Sequence, residues 1–277
     1  MITGDFSKTG KRNQIVVMTE GVFAQKLLSD NEIPNCHTVI FDEFHERSLH
    51  SDLGLALATQ CQEYLRDDLN IIIMSATLDS SALVDTLNAR LIESEGRSFP
   101  VTQHYAIKKP ELHLEQNMAN LIQSALKQHD GDILVFLPGI KEISKTQALL
   151  NDSLSSAQTN PPLILPLHGQ LANQEQQTVL KPNPQRKIIL STDIAKTSLT
   201  IEGVTVVIDS GLERQARFNT QNAMDELITV QASQASMIQR AGRAGRLQAG
   251  DCYRLLSDEA FNTRKPFSLS AIELSDL

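Results

Sequence analysis

Two adjacent carboxylates, Asp42 and Glu43, follow the apolar run Thr38-Val39-Ile40-Phe41. Such a run reads as a buried strand, and α/β sheets place their ligands outside the carboxyl ends of strands. In nucleotide hydrolysis the first carboxylate of such a pair holds Mg²⁺, usually through water, because Mg²⁺ gives up its waters reluctantly. The second can accept a proton from the attacking water. An Asp-Glu pair also serves as a cap or a plain surface pair; the continuation Phe44-His45-Glu46-Arg47-Ser48 favours chemistry. His45-Glu46 begins like the zinc motif HExxH, but His50 falls one residue late, which rotates the two imidazoles off a common helix face.

A second cluster is Gln239-Arg240-Ala241-Gly242-Arg243-Ala244-Gly245-Arg246. As a helix it would bring Arg240, Arg243 and Arg246 to one cationic edge. The planar guanidinium fork suits a γ-phosphate because it can hold two oxygens at once. The plainer reading is a basic helix face turned to solvent. Two interior glycines oppose that, since each costs a helix about 1 kcal/mol and needs a reason. Ser75-Ala76-Thr77 and Ser191-Thr192-Asp193 each follow an apolar run. Taken singly, each is an ordinary helix cap.

These clusters require elements to carry them. Short apolar runs, at 15–18, 38–41, 70–74, 132–137, 162–165, 187–190, 204–208 and 251–255, alternate with stretches of helical period. The helical stretches include 52–64, with Leu53 and Leu57 on one face, and 112–128. That alternation predicts an α/β fold with parallel sheets covered by helices. The segment Glu95-Gly96-Arg97-Ser98-Phe99-Pro100 breaks the rhythm and sets a predicted boundary between domains 1–96 and 97–277.

With 277 residues, 41% hydrophobic and 21% charged, the chain suits two ordinary globular domains. No apolar run approaches bilayer length, and the first residues lack a signal-peptide core. Cys36, Cys61 and Cys252 are too scattered for a disulfide framework, so a cytoplasmic protein with no membrane partner is expected. The net charge of −8 leaves nucleic acid open as a partner, because a cleft can be basic on an acidic protein.

The order of the motifs adds what no single motif carries. Thr19-Glu20-Gly21, Asp42 to His45, Ser75 to Thr77, Leu134-Val135-Phe136-Leu137-Pro138-Gly139, Ser191 to Glu202 and Gln239 to Arg246 succeed one another as in superfamily 2 helicases. The chain resembles the DEAH-box, ATP-dependent RNA helicases, and Phe44 with His45-Glu46-Arg47-Ser48-Leu49 looks most like their bacterial HrpB-type branch. The resemblance implies two RecA-like parallel-sheet domains in tandem, facing each other across a cleft. It implies ATP or another NTP with Mg²⁺ as cofactors. Single-stranded RNA, or an RNA duplex with a single-stranded tail, would be the partner, and 3′–5′ translocation the work of the complete protein.

By that resemblance Asp42 would hold Mg²⁺ through water and Glu43 would polarise the hydrolytic water. His45, Ser75 and Thr77 would link nucleotide state to domain movement. Gln239, Arg243 and Arg246 would reach the γ-phosphate, and Glu202 would lie near the ribose and the Mg²⁺ waters. Thr19, Gly169 and Thr192, with its neighbour Asp193, would face the RNA sugar-phosphate backbone, tracking it without reading bases. Residues 211–229 would form a hairpin that helps part the duplex. Two residues depart from the pattern: Asp193 stands where the family usually has Asn, and Lys196 where it has Glu. A carboxylate facing RNA phosphate would repel it, with Lys196 as a local offset.

No stretch of the chain reads GxxxxGK[ST]. Gly4 to Arg12 comes nearest, with one residue too many between its glycines and Arg12 where a Mg²⁺-binding hydroxyl belongs. The first domain is therefore expected to be incomplete and the polypeptide inactive alone. The alternative is a non-catalytic module that binds RNA or a partner protein.

Overall fold

The computed structural model describes residues 13–76, 80–93, 99–106, 113–154, 161–196, 201–219, 224–268 and 271. It divides into two compact units, Met1–Glu93 with Leu269–Leu277, and Ser94–Ser268. The tail joins the first unit through Ala271, whose N–H donates to Arg47 O at 3.0 Å.

The first unit contains α1 (Glu20–Ser29), β1 (Thr38–Phe41), a 3₁₀ turn (Phe44–Glu46), α2 (Leu49–Tyr64), β2 (Asn70–Ile73) and α3 (Ser80–Leu87). β1 and β2 pair in parallel, Val39 opposite Ile71 and Phe41 opposite Ile73. Val39 and Phe41 turn inward onto Leu27, Leu55, Ala58 and Leu69, with Phe41 edge-on to both Phe23 and Phe44. The buried face of α2 is Ser51, Gly54, Leu55, Ala58 and Cys61; Leu57 packs partly against this core, while Leu53 is exposed. The small residues at 54 and 58 let the helix approach the aromatic cluster, and a Cβ at 54 would already stand 3.3 Å from Phe23. Residues 15–18 are not a strand: only Met18 makes a bridge, and Ile15 and Val17 are exposed. A β-prone run forms a strand only where a neighbour completes its ladder.

The second unit is built on six parallel strands: β3 (Val101–Tyr105), β4 (Asp132–Phe136), β5 (Leu163–Leu167), β6 (Lys187–Ser191), β7 (Val204–Asp209) and β10 (Gly250–Arg254). Their order across the sheet is β3-β10-β7-β4-β6-β5. α4 (Leu114–Gln128), α5 (Ile140–Leu154), α6 (Asn173–Leu180) and α7 (Gln234–Ala241) lie between strands, and α8 (Asp258–Asn262) follows β10. An antiparallel hairpin, β8 (Leu212–Asn219) and β9 (Met224–Gln231), occupies the region where the resemblance implied one. β4, β6 and β7 are apolar nearly throughout because both faces are covered, as in α/β sheets generally. Edge strand β3 carries Thr102, Gln103 and His104, which hid it from the apolar-run criterion.

The chain reverses direction across the sheet beside β4, with β6 and β5 on one side and β7 and β10 on the other. Ligands of open α/β sheets bind at the carboxyl ends of the strands beside such a switch. Here those ends are stitched together: Thr192 N–H donates to Leu167 O, Leu137 N–H to Ser191 O and Ser210 N–H to Phe136 O, at 2.8–3.1 Å.

Candidate functional site

In the first unit the chain turns sharply after β1. Glu43 and Arg47 flank the 3₁₀ turn, both in the left-handed region, with φ of 52° and 49°. Such backbone costs about 1–3 kcal/mol per residue and persists where surrounding contacts enforce it, often at functional sites. The enforcing contacts are Phe44 N–H to Met74 O and Met74 N–H to Phe41 O, which fasten the turn to the end of β2. Ser48 caps α2 by accepting from Ser51 N–H, and its hydroxyl also donates to Glu20. Thr19 is the exposed N-cap residue of α1, one position before that glutamate.

His45 joins two of the sequence motifs. Its Nδ1 accepts from Ala76 N–H at 3.2 Å, which leaves the proton on Nε2 of the neutral ring, 3.3 Å from Glu43 Oε2. The imidazole is almost wholly buried. Glu43 and the segment carrying Ser75 therefore share one histidine; Thr77 lies outside the described residues. Asp42 is exposed, with Oδ1 accepting from Glu43 N–H at 2.9 Å. Among the described residues no three His, Cys, Asp or Glu gather as a metal cage. One exposed carboxylate nevertheless fits Mg²⁺, which keeps its waters and binds through one or two carboxylates and substrate phosphates.

In the second unit Gly169 follows β5 and Thr192 follows β6, so the two expected backbone contacts lie on adjacent strands at the carboxyl edge of the sheet. A Cβ at Gly169 would meet nothing within 4 Å, which leaves open space there. Glu202 is exposed in the turn before β7.

The arginine cluster is not one helix. α7 ends at Ala241 and the chain continues in turns, so Arg240 is separated from Arg243 and Arg246. Gln239 is half-buried on α7, Arg246 is exposed, and Arg243 is mostly buried with Nη2 donating to Lys196 O. One of the two glycines now has its reason. A Cβ at Gly245 would stand 2.5 Å from Phe99 O, because the chain entering β3 passes directly over it.

Arg240 is 1% exposed. Its Nε and Nη2 donate to Asp193 Oδ1 at 3.0 and 2.8 Å, Nη1 to Asp209 Oδ1 at 2.7 Å, and Nη2 to Glu213 Oε2 at 3.2 Å. Both terminal nitrogens also reach Leu212 O at 3.3 Å, and the group lies 5.3 Å from the centre of the Phe136 ring. Burial alone would lower its pKa, but the three carboxylates reverse that and raise it, so the cation is permanent. Burial pushes Glu213 up, against the pull of Arg240.

Asp193 is therefore the counter-ion of a buried arginine, a role absent from both its RNA-facing and its capping readings. Thr192, not Asp193, is the N-cap residue of the short 3₁₀ turn. Lys196 acts electrostatically on Glu213. Asp209 and Glu213 escaped the sequence reading. Asp209 offered the same signal as Asp42, a carboxylate ending an apolar run; Glu213 offered none.

A RecA-like parallel sheet, with the arginine cluster at and beyond the end of α7 and an antiparallel hairpin after β7, is of the helicase type. Residues 114–248 match the helicase conserved C-terminal domain, and by sequence and fold the chain is similar to DEAH/RHA helicases. It is 43% identical over 271 residues to the ATP-dependent RNA helicase HrpB of Escherichia coli K12, covering 97% of this chain and 33% of that one. A crystal structure of E. coli DExH-box NTPase HrpB superposes with a TM-score of 0.88 at 41% identity, over 99% of this chain and 34% of that one. A crystal structure of the E. coli DEAH/RHA helicase HrpB gives 0.87 at 42%, over 96% and 34%. The chain thus spans about a third of the length of these relatives. Among the described residues no helix is long and apolar enough to cross a membrane.

Proposed function

We propose that these residues serve an NTP-driven RNA motor, translocating 3′–5′ in the complete protein. The single observation that supports this most is His45, shared between Glu43 and the backbone beside Ser75. A motion felt at one motif is transmitted to the other through one ring. Asp42 would hold hydrated Mg²⁺, which when bound neutralises charge on the β- and γ-phosphates. Glu43 takes a proton from the attacking water, held in place by His45 Nε2. Gln239, Arg243 and Arg246 bind and orient the γ-phosphate, with Glu202 toward the ribose and Thr77 alongside Ser75 in the link to movement. Thr19, Gly169 and Thr192 grip the RNA backbone at single-stranded regions.

The 277-residue polypeptide by itself does not turn over ATP in this proposal, because no GxxxxGK[ST] stretch cradles the phosphates. The thiols of Cys36, Cys61 and Cys252 accord with a cytoplasmic location. Strand displacement by the complete gene product tests the directional claim. Duplexes with a 3′ single-stranded tail are expected to be opened in an NTP-dependent way, and those with a 5′ tail are not. Equal opening of both would refute directional translocation.

A further inference from the structure

The departures at 193 and 196 prompt the question of what a carboxylate at 193 does when its charge is already engaged. Its partner Arg240 is not an isolated counter-ion. The same guanidinium that holds Asp193 also holds Leu212 O and Glu213 on β8, and Asp209 at the end of β7. Glu213 is fixed in turn by Ser236 of α7, whose hydroxyl donates to Oε2 at 3.1 Å. A second buried arginine closes the other side of the hairpin base: Arg264 Nη1 donates to Gly211 O and to Ala232 O, at 2.5 and 3.1 Å. Those two residues are themselves joined by Ala232 N–H to Gly211 O.

Gly211 is required there on two counts. Its φ is +71°, and a Cβ would stand 2.7 Å from Leu256. The base of β8–β9 is therefore built on a rigid seat. Asp193 belongs to a different element, the 3₁₀ turn after β6, yet it binds the same seat. No other side chain of that turn is hydrogen-bonded to the hairpin base among the described residues.

We propose that Asp193 is a positioning residue that couples the Thr192 turn to the base of the β8–β9 hairpin through Arg240. Resting on the RNA-motor reading above, this makes the backbone-gripping turn and the hairpin move as one body. The carboxylate is directed at Arg240, and its engagement there replaces repulsion of RNA. The coupling needs an acceptor oxygen at 193, which asparagine also supplies. A carboxylate makes the bond charge-assisted from both sides and hence stronger.

Hydrogen exchange on the 277-residue chain tests the coupling directly, with Asp193→Ala and Asp193→Asn beside the parent. Asp193 is more than a third exposed, and Arg240 keeps Asp209 and Glu213 when it is removed. In Asp193→Ala, amides of the hairpin base (211–213 and 230–232) are expected to exchange roughly tenfold faster, together with those of 192–196, through loss of the two charge-assisted hydrogen bonds from Arg240 to a partly exposed carboxylate. Asp193→Asn should restore most of the protection at both places. Faster exchange confined to 192–196 in the alanine variant would overturn the coupling, as would equal loss in both variants.

A second arm uses the complete gene product. The RNA concentration for half-maximal stimulation of NTP turnover should rise about fivefold in Asp193→Ala and return toward the parent value in Asp193→Asn. A fall in that concentration on removing the carboxylate would restore repulsion as its role and overturn the proposal. If the parent shows no RNA stimulation, the motor reading fails, and the exchange data still decide the coupling.

Discussion

At the residue scale, charge pairs explain more of the second unit than any motif does. One cation faces Asp193, Asp209 and Glu213, so the cluster carries an excess of negative charge when all three are ionised. Glu213 bears the consequence, with its pKa raised by burial. A carboxyl raised on folding contributes its stability fully below its unfolded pKa and loses it as pH rises through the folded value. Glu213→Gln should therefore raise the thermal midpoint relative to the parent near neutral pH, with the gain shrinking toward pH 4. A gain that grows as pH falls would contradict this. The arginine cluster shows what sequence could and could not convey here. Arginines spaced by three residues were visible, but not that α7 ends at Ala241, nor that Gly245 lies against Phe99 O, a tertiary contact. The role of Asp193 was hidden for the same reason: its partner lies 47 residues away.

At the element scale, legibility follows burial. Strands covered on both faces announce themselves as unbroken apolar runs, and β4, β6 and β7 were readable to within a residue or so. Edge strand β3 has polar residues at three of its five positions and was not. The run 15–18 has strand composition without a strand, because β structure also needs a neighbour. β1 and β2 are legible yet differ from β6 in their surroundings. Ile40 and Ile72, paired in register on one face, are 56% and 44% exposed, whereas Ile188, Ile189 and Leu190 are wholly buried. Ile189→Ala should cost about 2–5 kcal/mol in urea unfolding followed by a probe in the second unit. Ile40→Ala should cost within about 0.5 kcal/mol by a probe in the first. Comparable losses at the two positions would show that β1 is as well covered as β6.

At the scale of the whole molecule, the order of motifs pointed to the relatives that the chain matches, and each unit supplies a different part of the proposed chemistry. The first brings Asp42, Glu43 and His45 to the end of β1; the second brings Gly169, Thr192 and the arginine cluster to the carboxyl edge and flank of its sheet. A net charge of −8 did not forbid this reading, because a total says nothing of where the exposed cations, Arg246 among them, lie on the surface. The most direct test is the rate of NTP hydrolysis with and without single-stranded RNA, in the complete gene product, its Glu43→Gln variant and the 277-residue polypeptide. RNA should stimulate the complete product, Glu43→Gln should lower turnover by at least about a hundredfold, and the 277-residue polypeptide should stay at background. RNA-stimulated hydrolysis that survives Glu43→Gln would contradict the assignment of Glu43 as the base.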